Sequence, residues 1–367
     1  MQPMDQIVMN PPGRTESVAP VCEIDPLKDS RWADFIERHP RACAFHSIGW
    51  LKALKVSYGY DPFVLTTAQP AEALKDGMVL CKIKSWLTGS RIVSLPFSDH
   101  CDPLVDDAKT LARLTNRALQ YQDGREWKYI EFRPLPNGST ECLSESGAVQ
   151  SVTYTLHVLD LGPSADEIFN GFHKSCIRRV INRANREKLS VKEGRSEELL
   201  RMFYSLLLLT RRRHELPPQP ISWFRNVLEC MGPNALIRVA MKGEIPVASI
   251  LTLSHNRVVI YKYGCSDAAY HNLGGMSFLF WRAIQDAKES GAQEFDLGRS
   301  DLDNPGLIAF KGHLGAQASQ LVYYRYPPSA TLAREGRLEI KVARRMVSLL
   351  PNRLVSIAGA ILYRHIG

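Results

Sequence analysis

The residues best placed for chemistry in this chain lie in one stretch, Asp296–Gly315. Phe295 and Leu297 lead in as an apolar strand end. Gly298, Arg299, Ser300, Asp301 and Asp303 then crowd the exit, and Phe310-Lys311 follows on a short helix. Loops leaving a rigid scaffold commonly hold ligands, so a lysine inside this pattern is a functional candidate. A second candidate is the step from Tyr261-Lys-Tyr-Gly-Cys to Asn272-Leu-Gly-Gly-Met-Ser277, where a strand passes into a helix begun by Gly274 and Gly275. Backbone amides at such a start form an anion site suited to pyrophosphate or carboxylate. A plain turn before a packed helix is the competing reading.

Three further groups carry weaker signals. Thr210–Pro220 ends a helix with Arg211, Arg212, Arg213 and His214. Cations in a last turn complement the helix dipole, and arginine also grips phosphate, so both roles stay open for Arg213 and His214. Arg178, Arg179, Arg183 and Arg186 form a basic ridge at helical spacing, read either as a phosphate contact or as a solvated face. Asp99, His100, Cys101 and Asp102 follow a strand. A cysteine-histidine dyad or a metal site would need them to converge, which neighbouring loop positions rarely do.

The elements that must position these groups follow from periodicity. Ser30–Arg38, Ser47–Val56 and Asp106–Tyr121 have helical spacing, while Phe63–Thr67, Met78–Ile83, Arg91–Leu95 and Lys128–Phe132 read as strands. Arg133–Gln150 reads as a connection. A second series follows: strand Val152–Leu159, helices His173–Lys188 and Glu197–His214, and a third helix from Pro220. Strands Ala235–Met241, Val247–Ser254 and Arg257–Cys265, helix Gly275–Glu289, and strands Glu294–Leu297 and Ser319–Tyr324 complete it. The shared order suggests a diverged duplication.

Composition sets the outer bounds. A chain of 367 residues is long enough for two domains, and 45% hydrophobic with 23% charged residues excludes a disordered chain. With no run of about 20 apolar residues, no membrane span is expected. A formal charge of +8 favours anionic partners. The eight cysteines include no Cys-x-x-Cys pair and no His/Cys cluster at zinc spacing, so they read as reduced, mostly buried cytosolic thiols and no metal site is expected. The first twenty residues hold acids and prolines without an apolar core, which reads as a flexible leader and not a secretory signal.

The pattern of Asp296–Gly315 resembles the FemAB-like acyltransferases of the GNAT superfamily. FHSIGWLKAL (45–54), SLPFSDHCDPL (94–104) and YIEFRP (129–134) resemble the N-terminal domain of members encoded with exopolysaccharide machinery. The resemblance spans about residues 30–367. It implies an α/β (α+β) fold of two tandem GNAT-like domains, each a mixed sheet flanked by helices. The expected boundaries are a leader at 1–20, domains at 21–150 and 151–330, and basic amphipathic helices at 331–367. The tail could lie at an anionic membrane surface or pack back on the domain.

Function follows as an expectation: transfer of an acyl or aminoacyl group to an amine on a cell-wall or exopolysaccharide precursor, in the cytoplasm or at the inner face of the membrane. No permanent cofactor is implied; aminoacyl-tRNA or acyl-CoA is the donor substrate, which makes tRNA a candidate partner. Phe310-Lys311 matches the Phe-Lys pair at the reacting end, with Lys311 supplying charge to the tetrahedral oxyanion and Phe310 packing beside it. Tyr263, Arg299 and Ser300 would position the substrates, Arg213-His214 would flank the acceptor, and Asp99 and His100 would line the interdomain cleft. Coenzyme A phosphates would sit at Gly274-Gly275, although His271-x-x-Gly274-x-Met276 departs from the usual Gln/Arg-x-x-Gly-x-Gly/Ala. No general base stands out. An acyl-CoA-dependent N-acetyltransferase of small-molecule or sugar amines, and a non-catalytic GNAT-like module of a polysaccharide assembly, remain alternatives.

Overall fold

Capping starts the first helices where apolar spacing places them. In the computed structural model, which describes residues 20–124, 126–136, 139–328, 359 and 361–365, Asp29 caps α1 (Ser30–Arg38) and Ser47 caps α2 (Ile48–Tyr58). Their side-chain oxygens take up first-turn amides that lack helical partners. Strands β1 (Cys22–Ile24), β2 (Asp61–Thr66), β3 (Met78–Ile83), β4 (Arg91–Val93) and β5 (Ile130–Phe132) complete the first series, with α3 (Ala108–Leu119) between the last two. The expected connection contains a further helix, α4 (Ser139–Glu145).

The second series opens with β6 (Val149–Asp160) and α5 (Ala165–Gly171). A π-helical turn, Lys174–Arg178, runs into α6 (Arg179–Arg186). Then come β7 (Ser190–Gly194), α7 (Glu197–Arg213), α8 (Ile221–Met231), β8 (Ala235–Lys242), β9 (Ile245–His255), β10 (Val258–Ser266), α9 (Gly275–Glu289), β11 (Glu294–Asp301), α10 (Pro305–His313) and β12 (Gln317–Tyr326). The sequence reading missed α5 and β7. β7, Ser-Val-Lys-Glu-Gly, is an edge strand with no fully buried residue, so it lacks the apolar alternation that marks a half-buried strand.

The fold class is α/β, as expected, but the two series do not keep separate sheets. All described strands join one 12-stranded sheet in the order β1-β2-β3-β4-β5-β12-β6-β11-β10-β9-β8-β7. The seam is the antiparallel pairing of β5 with β12. One apolar core also crosses between the series: Trp50 of α2 meets Trp223 of α8 with ring centroids 5.3 Å apart. Burial across this junction resembles a domain interior, so rigid-body sliding of one half would expose core side chains.

Two neighbouring pairs are parallel, β4 with β5 and β10 with β11. The second decides where the site lies. β10 and β11 pair only from Val258/Glu294 to Ile260/Asp296, and then run on to Ser266 and Asp301 without pairing each other. This leaves a notch in the sheet with backbone polar groups that need other partners.

Most of the tail lies outside the described residues, as does nearly all of the leader. Residues 361–365 pack back on the body. The Tyr60 hydroxyl donates to Tyr363 O at 2.9 Å, the Tyr363 hydroxyl to Pro217 O at 3.2 Å, and Arg91 Nη2 to His365 O at 2.8 Å. No described helix is long and apolar enough to cross a membrane.

Candidate active site

The notch is completed by three elements. From one side, the loop after β4 inserts Asp99. Gly298 makes this possible: its φ is +71°, and a Cβ there would stand 2.7 Å from Asp99 Oδ2. The loop is held in a demanding conformation, with Leu95 and Phe97 at positive φ. Arg133 fastens it by donating to Leu95 O at 2.7 Å and Ser98 O at 3.1 Å.

Inside the junction, Asp99 Oδ1 lies 3.0 Å from Lys262 Nζ and 3.8 Å from Arg299 Nε. Burial would push the Asp99 carboxyl up, but Lys262 and Arg299 more than offset it and hold it below the usual range. The Tyr323 hydroxyl accepts from Arg299 Nη1 and donates to Asp99 O. His100 Nε2 is 2.8 Å from Asp296 Oδ2, and Asp296 Oδ1 accepts the Gly298 amide at 2.7 Å. The pair with Asp296 raises the His100 pKa despite burial. Half-buried Asp99 and buried His100 thus form a wedge between the two series, at the place where an interdomain cleft was expected.

From the other side, α10 delivers Lys311. Its ammonium donates to Gly298 O at 2.8 Å and Arg299 O at 2.9 Å, carbonyls on the course of β11 beyond its pairing with β10. Lys311 is 2% exposed, and this burial lowers its pKa to about 8 against the opposing pull of Asp99 and Asp296. Two N–H groups suffice for the two carbonyls. The third in the charged form, or the lone pair in the neutral form, is left for a ligand.

The third element is the start of α9. Gly274, at φ +78°, caps the helix without a side-chain hydrogen bond, and a Cβ on it would run into Val180 of α6, 2.9 Å from the Val180 carbonyl oxygen. The close α6 contact thus selects glycine there. Gly274, Gly275, Met276 and Ser277 line a cavity of about 320 Å³ together with Tyr261, His271, Phe310 and Lys311. The proposed catalytic pair and the proposed anion site, far apart in sequence, therefore face one space. Phe310 packs on Phe280 at 5.5 Å between centroids.

The remaining expected residues lie elsewhere. Tyr263 is buried on the opposite face of the sheet, where its hydroxyl accepts from Trp223 Nε1 at 3.0 Å. Tyr261 lines the cavity instead. Residues two apart share a face in a regular strand, but a bulge between Tyr261 and Tyr263 breaks that alternation. Arg299 stacks on Tyr154 at 4.2 Å, away from the cavity, and Ser300 is buried with its hydroxyl unpaired. Arg213 donates to Ser266 O at 3.3 Å, next to a cavity-lining residue. His214 is exposed at the end of α7, outside the lining.

His157 escaped the sequence reading. It is buried on β6, level with the bulge between Asp296 and Arg299, and its Nδ1 has no partner. Burial and the nearby Lys311 charge both lower its pKa. Alternation along β6 could have found it, since it shares a face with buried Leu159.

Comparison with known proteins bears on the fold. Residues 172–311 match the family described as acetyltransferase (GNAT) domain. The structure resembles FemX at 16% identity and a TM-score of 0.67, covering 83% of this chain and 97% of that one. The C-terminal domain of a putative lysylphosphatidylglycerol synthetase from Agrobacterium fabrum superposes at 14% identity and a TM-score of 0.55, covering 85% and 94%. A tandem GNAT protein from the clavulanic acid pathway gives 14% identity and a TM-score of 0.55, covering 84% and 99%. No curated protein sequence matches the chain. Residues 172–311 thus match a GNAT acetyltransferase domain, and the chain as a whole shares the fold of FemX and of a tandem GNAT protein.

Proposed function

We propose that the enzyme forms an amide bond by transferring an aminoacyl or acyl group to an amine on a cell-wall or exopolysaccharide precursor. The observation that carries this reading is the convergence of Lys311, Phe310 and the first residues of α9, Gly275, Met276 and Ser277, on one cavity. An anionic part of the donor would rest on the α9 start. The reacting carbonyl would lie beside Phe310, where the free N–H of charged Lys311 meets the oxyanion. The basic ridge borders this space: Val180 of α6 lines the cavity and Arg183 donates to Asn272 O at 3.1 Å. A polyanionic donor such as aminoacyl-tRNA fits that continuity, and the lysyl-lipid product named for one structural neighbour fits aminoacyl transfer.

Acyl-CoA is the second reading, favoured by the glycine helix start itself. Thermal stabilisation of the purified chain by acetyl-CoA against charged tRNA separates the two donors. With whichever donor turns over, Lys311→Ala is expected to lower turnover at least tenfold while the melting transition persists. Near-wild-type turnover in folded Lys311→Ala protein would remove Lys311 from the mechanism.

A further inference from the structure

A second cluster lies at the far end of α10. His173 caps the π-helical turn that leads into α6, Cys176 lies within that turn, and His313 closes α10 two residues beyond Lys311. One ligand atom from each can be chosen so that all three lie within 4.8 Å of one another. The rings of His173 and His313 stand 4.5 Å apart, and the His173 amide donates to His313 O at 2.8 Å, which fixes the two backbones together. His173 and Cys176 are exposed and His313 is half-buried, so solvent can reach the cluster. The sequence shows no zinc spacing because the third ligand arrives from a distant helix.

We propose that His173, Cys176 and His313 bind a borderline divalent transition ion of the Zn²⁺ class. Two imidazoles and a thiolate suit that ion, and three protein ligands leave a position open to water. Ligand atoms around a tetrahedral ion at Zn–N and Zn–S lengths stand roughly 3.4–3.6 Å apart. These three side chains would therefore close by about an ångström. His173 Nδ1 now accepts the Cys176 amide at 3.2 Å and caps the turn. Coordination gives up that cap, whether the ion takes Nδ1 or the ring proton moves there to free Nε2. The loss is small beside three metal–ligand bonds. The bound ion would staple the π-helical turn to the helix that carries Lys311.

The test titrates untagged, full-length protein with Co²⁺ under a non-thiol reductant and follows absorption. One equivalent is expected to give a thiolate-to-cobalt charge-transfer band with tetrahedral d–d bands, displaced stoichiometrically by Zn²⁺. Cys176→Ser should remove the charge-transfer band, His313→Ala should weaken binding at least tenfold, and Cys230→Ser should leave both unchanged. Circular dichroism of the variants confirms the fold. The proposal is overturned if the wild-type protein gives no charge-transfer band, or if the band survives Cys176→Ser.

Discussion

Replacing Lys311 with Met isolates the consequence of burying a cation beneath the cavity. The 2%-exposed ammonium has a pKa of about 8, below its ordinary 10.5. A lysine whose folded pKa is depressed binds fewer protons folded than unfolded between those values, so stability rises with pH across that window. Below about pH 8 the charge is present in both states and the penalty is constant; above about pH 10.5 it is absent from both. The full effect is roughly 3 kcal/mol, of which about 2 kcal/mol or somewhat more is relieved between pH 7 and pH 10. The Met variant lacks this relief, although it leaves the Gly298 and Arg299 carbonyls without their donor at a cost of about 1–3 kcal/mol each. Urea unfolding of both proteins at pH 7 and pH 10 measures it. The wild-type stability minus that of Lys311→Met should increase by about 2 kcal/mol or more, because other titrating groups cancel in the difference. A difference independent of pH, or one that shrinks as pH rises, refutes the assignment of Lys311 as a buried cation with a depressed pKa.

Three further substitutions probe the frame around it. Gly298→Ala places a methyl against Asp99 at a positive φ and should cost about 1–3 kcal/mol in chemical denaturation, with turnover falling as the Lys311 carbonyl partners shift. Asp99→Asn leaves Lys262 buried without its counter-charge and should destabilise by about 3–5 kcal/mol, read as an earlier melting transition. Tyr263→Phe should lose about 1 kcal/mol with its Trp223 hydrogen bond and leave kcat/KM within a factor of two, because Tyr263 faces away from the cavity; a tenfold loss would return it to the site.

How much of this could be read in advance depends on the range of the interaction. Ser30–Arg38 and Met78–Ile83 were expected with the bounds the structure shows, since caps, breakers and apolar spacing act within a few residues. The Gly-started helix and the Phe310-Lys311 helix were visible for the same reason. Tyr263 and Tyr261 exchanged roles because a strand bulge moves one residue across the sheet, and their local spacing looks regular without it. Asp99 and His100 were expected in a cleft. Their acidic and imidazole groups instead find Lys262, Arg299 and Asp296, all from the second series.

The sequence by itself determined the series of helices and strands, the glycine start of α9, and a lysine on a short helix beyond β11. Only the tertiary structure decided that these meet. β10 and β11 part after Ile260 and Asp296, Asp99 fills one side of the notch, and Lys311 caps freed carbonyls from the other. Periodicity records which side of its own element a residue occupies. Which elements become neighbours depends on sheet order and on where pairing stops, and these are properties of the whole chain.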